Sequence, residues 1–175
     1  MSSSKSPAPT DAGLTLRDAF VDVCENSFFA YVETCDQRKF AELAQRCHDA
    51  RTQPAVSEWL KAAVGFGGPF PGAIEVILPE QLARSLVGSL LGTDPEEELP
   101  EHQVFDGVGE FANMICGAWL TNLAQKQTFE LRAPAVTRMA RDWTPVGDSS
   151  WNDERGHRLA VNDLPVRLRF RALAA

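Results

Sequence analysis

Asp106, Glu110 and Asn113, in the second half of the chain, are the residues whose types and spacing best suit chemistry. Steps of four and then three residues stack them along one side of a helix. A carboxamide donates and accepts hydrogen bonds at once without adding charge, so the stripe offers a carboxylate and a carboxamide to something outside. Stability alone does not select this pattern. Asn is a poor residue in mid-helix, and Gly107, Gly109 and Gly117 stand around it where Ala would be more stable. Small residues beside a polar stripe let another backbone approach, which makes Asp106, Gly109 and Gly117 candidate partner-binding positions. The plain alternative is a solvated helix face with an incidental Asn.

Other chemistries fit the sequence less well. His102, Asp106 and Glu110 repeat every four residues and could gather on one face, but a structural metal site wants more Cys or His, and no metal site is expected. Cys47-His48 reads as a buried thiol beside a surface imidazole. Ser27, Ser57, Ser85 and Ser89 lack the G-x-S-x-G elbow, and the glycines of 65–72 lack the Lys of a phosphate loop.

The elements around the stripe follow from periodicity. Val104, Val108, Phe111, Ala112, Ile115, Ala118 and Trp119 form the apolar face of the helix that carries it, over 105–123. Thr15 is placed to cap a first helix with Leu16, Phe20, Val23, Cys24, Phe28 and Tyr31 as its apolar positions, and 33–49 continues as a second helical piece. Residues 57–66 and 73–78 alternate as two strands joined by a Gly/Pro turn, and Pro79 opens a helix that stops at Gly92. An acidic loop over 94–101 precedes the long helix, where its charges favour the helix N-terminus. Beyond that helix, 129–141 reads as strand broken at Pro134, and 142–155 as a Trp-containing loop. Residues 158–161 and 166–173 form a hairpin about Asn162-Asp163, with Arg167, Arg169 and Arg171 turned outward. That arginine stripe reads first as a charged face that resists edge pairing, and otherwise as a surface for an acidic partner.

Composition limits the classes. A chain of 175 residues with 44% hydrophobic content supports one domain. Residues 1–13 are expected to be a disordered lead-in and 14–175 the domain. A formal charge of −7 disfavours nucleic acid or an anionic membrane as the main partner. Cys24, Cys35, Cys47 and Cys116 show no C-x-x-C spacing, and the first residues lack an apolar leader, so reduced thiols and a cytoplasmic location are expected.

The spacing Asp106-x3-Glu110-x2-Asn113 resembles the D/S-x3-E-x2-N active-site pattern of the CheC/CheX/FliY family of chemotaxis phosphatases. Pro134 is the counterpart of the family's later Pro, a couple of residues nearer than usual. The order of elements over 57–92 is also similar to a CheX-type domain. The resemblance implies an α+β fold, a mainly antiparallel sheet with helices packed on it, built from two αββ-type halves. It implies one site per chain, since Glu25 is followed three residues later by Phe28 rather than Asn. By resemblance the partner is a phosphorylated CheY-like receiver domain that brings its own Mg2+, with no cofactor of the chain's own, and the assembly a homodimer. Asn113 would orient the water that attacks the phospho-aspartate, Glu110 would engage the receiver's Lys, and Asp106 would shape the docking edge. The alternative of another class is a non-catalytic module of this fold that binds or scaffolds a response regulator.

Overall fold

The computed structural model describes residues 12–49, 58–94, 98–123, 127–140, 143–147 and 156–172. Most of the Trp-containing loop and residues 1–11 of the expected lead-in lie outside these. Helix α1 spans Ala12–Ser27, followed by β1 (Val32–Thr34), α2 (Gln37–Asp49), the long strands β2 (Trp59–Gly67) and β3 (Gly72–Pro79), and α3 (Glu80–Leu91). Helix α4 (Glu101–Leu123) leads to β4 (Glu130–Leu131), β5 (Ala135–Arg138), β6 (Gly156–Val161) and β7 (Leu164–Ala172).

Among the described residues seven strands make one sheet, ordered β1-β6-β7-β3-β2-β4, with β5 also on β2. All its pairings are antiparallel. The fold is therefore α+β, and its two halves are α1-β1-β2-β3 and α4-β5-β6-β7. They meet at the central pair β3 and β7, and each lends its first strand to the other: β1 pairs with β6, and β5 pairs with β2. Helices α1 and α4 lie side by side on one face of the sheet. Leu60, Ala62, Val64, Phe66, Ile74, Val76, Leu78, Val166, Leu168 and Phe170 point up to that layer and are buried. Phe66 is its hub, with the Trp119 ring 5.6 Å away and the Phe170 ring 6.1 Å away. No helix of the described residues is long and apolar enough to cross a membrane.

Several sequence expectations need correction. Ala12 and Gly13 already belong to α1, so Thr15 is not its cap; the Thr15 hydroxyl instead accepts a 3.0 Å hydrogen bond from Trp119 Nε1. The stretch expected as one helical piece from Glu33 is the edge strand β1 followed by α2. Most consequential is the arginine stripe. Arg167 is 2% exposed, hydrogen-bonded to the Pro145 carbonyl and lying over the Phe40 ring at 5.0 Å. The reason is that α2 covers this second face of the sheet, packing Phe40 and Leu43 with Cys35 and Ala160. Arg169 also turns inward, 2.5 Å from the Glu75 carboxylate, and only Arg171 stays half in solvent.

Glu75 itself is 1% exposed and is held between Lys61 at 2.9 Å and Arg169. Burial pushes its carboxyl up, but the hydrogen bonds and charges of Lys61 and Arg169 outweigh this and hold it below the usual carboxylate value. All four cysteines are free and buried, and burial drives the Cys116 thiol up to about 12. Burial raises the Cys24 and Cys35 thiols as well, so these three are protonated at neutral pH and are poor nucleophiles.

Candidate active site

Helix α4 positions the stripe. Pro100 starts it, its carbonyl accepting from the amides of Gln103 and Val104 at 3.0 and 3.2 Å. The buried side carries Val104, Val108, Phe111, Ala112, Ile115, Cys116 and Trp119, which press onto β2, β3 and α1. On the opposite side, at about 100° per residue, Asp106, Glu110, Asn113 and Gly117 fall within roughly 60° of arc and span about 16 Å along the axis. Asp106 and Glu110 are exposed, while Asn113 is half-buried.

The glycines around the stripe have separate reasons. A Cβ at Gly107 would meet Val87 Cγ2 at 2.5 Å and Cγ1 at 2.7 Å, so Gly107 exists to let α3 press against α4. On the other flank a Cβ at Gly109 would lie 3.1 Å from Pro134 Cγ. Gly109 was expected to admit a partner; it is buried, and the chain's own Pro134 makes the close approach. Gly117 is different. A Cβ there would meet nothing within 4 Å, so the rest of the fold does not require a glycine. The stripe thus runs between the α3 flank and the Pro134 flank, with an open notch at its C-terminal end.

Asn113 Oδ1 is buried and, among the described residues, has no hydrogen-bond partner. An acceptor left in that condition costs on the order of 1–3 kcal/mol. Asn113 therefore brings the fold neither helix propensity nor a hydrogen bond at this oxygen. No group of His, Cys, Asp and Glu among the described residues could hold a metal ion, so the spacing of His102, Asp106 and Glu110 does not build one.

One residue that holds the site was missed in the sequence. Arg138, at the end of β5, reaches Glu58, Glu80 at 2.8 Å and Glu101 at 2.9 Å, and its guanidinium lies 5.6 Å from the Phe105 ring centroid. Desolvation works to lower its pKa, and the hydrogen bonds to the three carboxylates more than reverse this. Arg84 adds a fork to Glu80 at 2.6 and 3.0 Å and donates to the Leu99 carbonyl at 2.7 Å. β5 is therefore pinned to α4 at both ends, by Pro134 on Gly109 and by Arg138 at Glu101 and Phe105. The advance signal was acids at two helix starts, Glu80 and Glu101, of which only Glu80 has a cation close by in the chain, Arg84.

Residues 60–141, from the start of the central hairpin through β5, match the family model described as chemotaxis phosphatase CheX. The segment contains the whole stripe, Pro134 and Arg138. This segment, just under half of the chain, is similar to the CheX family. The fold of that family extends over nearly the whole chain. A CheX crystal structure from Desulfovibrio desulfuricans superposes with a TM-score of 0.62 at 18% identity, covering 93% of this chain and 99% of that one. CheX from Vibrio vulnificus gives 0.61 at 16% identity over 95% and 100%. FliY from Thermotoga maritima gives 0.53 at 17% identity over 94% and 87%. No curated protein matches the sequence at a significant level. At such identities the structures speak for the CheC/CheX/FliY architecture, and the chemistry rests on the α4 residues themselves.

Proposed function

We propose that this CheX-type domain removes the phosphoryl group from the phospho-aspartate of a CheY-like receiver domain. Hydrolysis of an acyl phosphate asks little covalent chemistry of a helper protein: a water must be held in line with the leaving oxygen, and charge on the phosphoryl oxygens must be met. A receiver carrying its own Mg2+ supplies the second requirement. The α4 stripe suits the first. Glu110, exposed, is placed to pair with a receiver Lys and fix the approach. Asn113, one turn on, orients the water through its carboxamide.

The observation that carries this reading is the state of Asn113. Its oxygen is buried without a partner among the described residues, on a helix whose stability would gain from an Ala at that position. Rotation of the side chain toward an incoming water would give Oδ1 the hydrogen bond it lacks, so the amide is better satisfied in the complex than in the free protein.

The test is the rate of phosphate loss from a panel of phosphorylated receiver domains of the same organism, with the wild-type chain and with Asn113→Ala and Glu110→Ala. Acceleration of one receiver, lost in both variants, is the expected result. Tight binding with no acceleration of any receiver would instead identify a non-catalytic receiver-binding module.

A further inference from the structure

Phe29 is 88% exposed, and its backbone sits at φ 52°, in the left-handed region. A bulky aromatic side chain rarely adopts that conformation. The position explains the backbone. The Ala30 amide donates to the Cys24 carbonyl at 3.0 Å, closing the end of α1 with a bond that spans six residues, and Phe29 occupies the turn residue just before it. This is the place where helices ordinarily use Gly, because a side chain there is strained. Neither the turn nor the core therefore selects Phe29. Its neighbours are fixed: Phe28 is buried against Phe111, ring centroids 5.0 Å apart, and Ala30 is buried as well. Tyr31 follows, 66% exposed, with its amide donating to Asn162 Oδ1 and its carbonyl accepting from the Asn162 amide, both at 2.9 Å. Two aromatic side chains are thus held outward on a backbone tied down on both sides.

Building on the phosphatase reading, we infer that Phe29 and Tyr31 are anchor residues for the same receiver domain that α4 engages, seated against an apolar part of its surface. The placement supports this occupant. Phe111, which holds Phe28, is the residue after Glu110, and α1 and α4 share one layer on the sheet. A standard interface of about 800 Å² per partner reaches roughly 16 Å from its centre, and the 5.0 Å ring contact of Phe28 with Phe111 ties the end of α1 to the residue next to Glu110. Exposed, pre-positioned aromatics are the residue type that dominates such interfaces, because little conformational freedom is lost when they are covered.

Phe29→Gly separates this role from a structural one, since Gly relieves the turn. The expected result is a melting temperature equal to or above wild type, a KM for the phosphorylated receiver raised on the order of tenfold, and an unchanged kcat. Phe29→Asn, which tolerates the same backbone, and Tyr31→Ala are expected to shift KM in the same direction. Wild-type acceleration with KM unmoved in Phe29→Gly and Tyr31→Ala would overturn the inference and leave the phosphatase reading standing. A melting temperature lowered in both Phe29 variants would make Phe29 a structural residue and overturn it too. A wild-type dimer that Phe29→Gly dissociates with no change in KM, read by sedimentation, would assign the aromatic pair to a second copy of this chain instead. If no receiver loses phosphate faster with the wild type, the phosphatase reading fails and this inference fails with it.

Discussion

Pro134 rests on Gly109, its Cγ 3.1 Å from where a Cβ would stand. The contact joins the loop before β5 to the middle of α4, one residue from Glu110, so the glycine series around the stripe separates internal packing from outward function. Gly107→Ala forces a methyl into the stiff Val87 side chain and is expected to destabilise the fold by about 1–3 kcal/mol. In Gly109→Ala the gain in helix propensity offsets part of the crowding, and the expected net loss is about 1 kcal/mol. Gly117→Ala meets nothing and should stabilise the fold by roughly 0.5–1 kcal/mol while slowing dephosphorylation, because it fills the open notch. Urea unfolding of the three variants beside the wild type checks the order. A destabilised Gly117→Ala would contradict the open notch.

Asn113→Ala should lower the rate of receiver dephosphorylation by about 100-fold or more, the scale of a lost positioning or polar transition-state contact. Stability should hold or rise, since an unsatisfied acceptor is removed and Ala is the better helix former. Single-turnover decay of a phosphorylated receiver, paired with a thermal melt, reads both. An unfolded variant would place Asn113 among the structural residues.

Glu75 gives a pH dependence with a definite sign. Its pKa is held below the unfolded value of 4.5 by Lys61 and Arg169, so its contribution to stability is fully present above about that pH. It is lost as pH falls through the lower folded-state pKa. Glu75→Gln leaves those cations without their carboxylate and is expected to cost about 3 kcal/mol at pH 7. The difference between variant and wild type should shrink on acidification, measured as unfolding free energy between pH 7 and pH 3.

Arg138 is expected to act on both stability and turnover. Arg138→Met removes the cation shared by Glu58, Glu80 and Glu101 and should destabilise by about 1–2 kcal/mol, a partly exposed network being worth less than a buried pair. Its dephosphorylation rate should fall as well, since the Arg138 end of β5 is then no longer tied to the start of α4. Arg138→Lys keeps the charge but not the fork, and intermediate values of both quantities are expected.

The parts of this fold that were legible in the sequence are those dictated by a single local pattern. Alternation in β2 and β3, the hairpin about Asn162-Asp163 and the stop of α3 at Gly92 all appear as read. Asn162 and Asp163 have φ of 48° and 62°, and Gly92 has 66°, as such turns require. The stripe on α4 was legible for the same reason, since helical spacing alone puts Asp106, Glu110 and Asn113 together. What was not legible depends on a second element arriving from far away. The alternation of β7 gives no hint that Arg167 is buried, because that follows from α2 lying across it. The hint was in α2: Phe40, Leu43, Ala44 and Cys47 form an apolar stripe that has to cover something. Gly109 was misread because Pro134, its cover, is 25 residues further along the chain.

The exchange of first strands between the two halves reaches beyond the folded molecule to how it is made. β1 must wait for β6, and β3 for β7, so the N-terminal half emerging from a ribosome carries a sheet edge that nothing yet closes. Such a topology favours slow, chain-length-dependent folding over rapid local assembly. It also makes the domain a poor subject for dissection: a fragment ending before α4 should expose the edge of β3 that β7 closes and be recovered as aggregate, not as a working half.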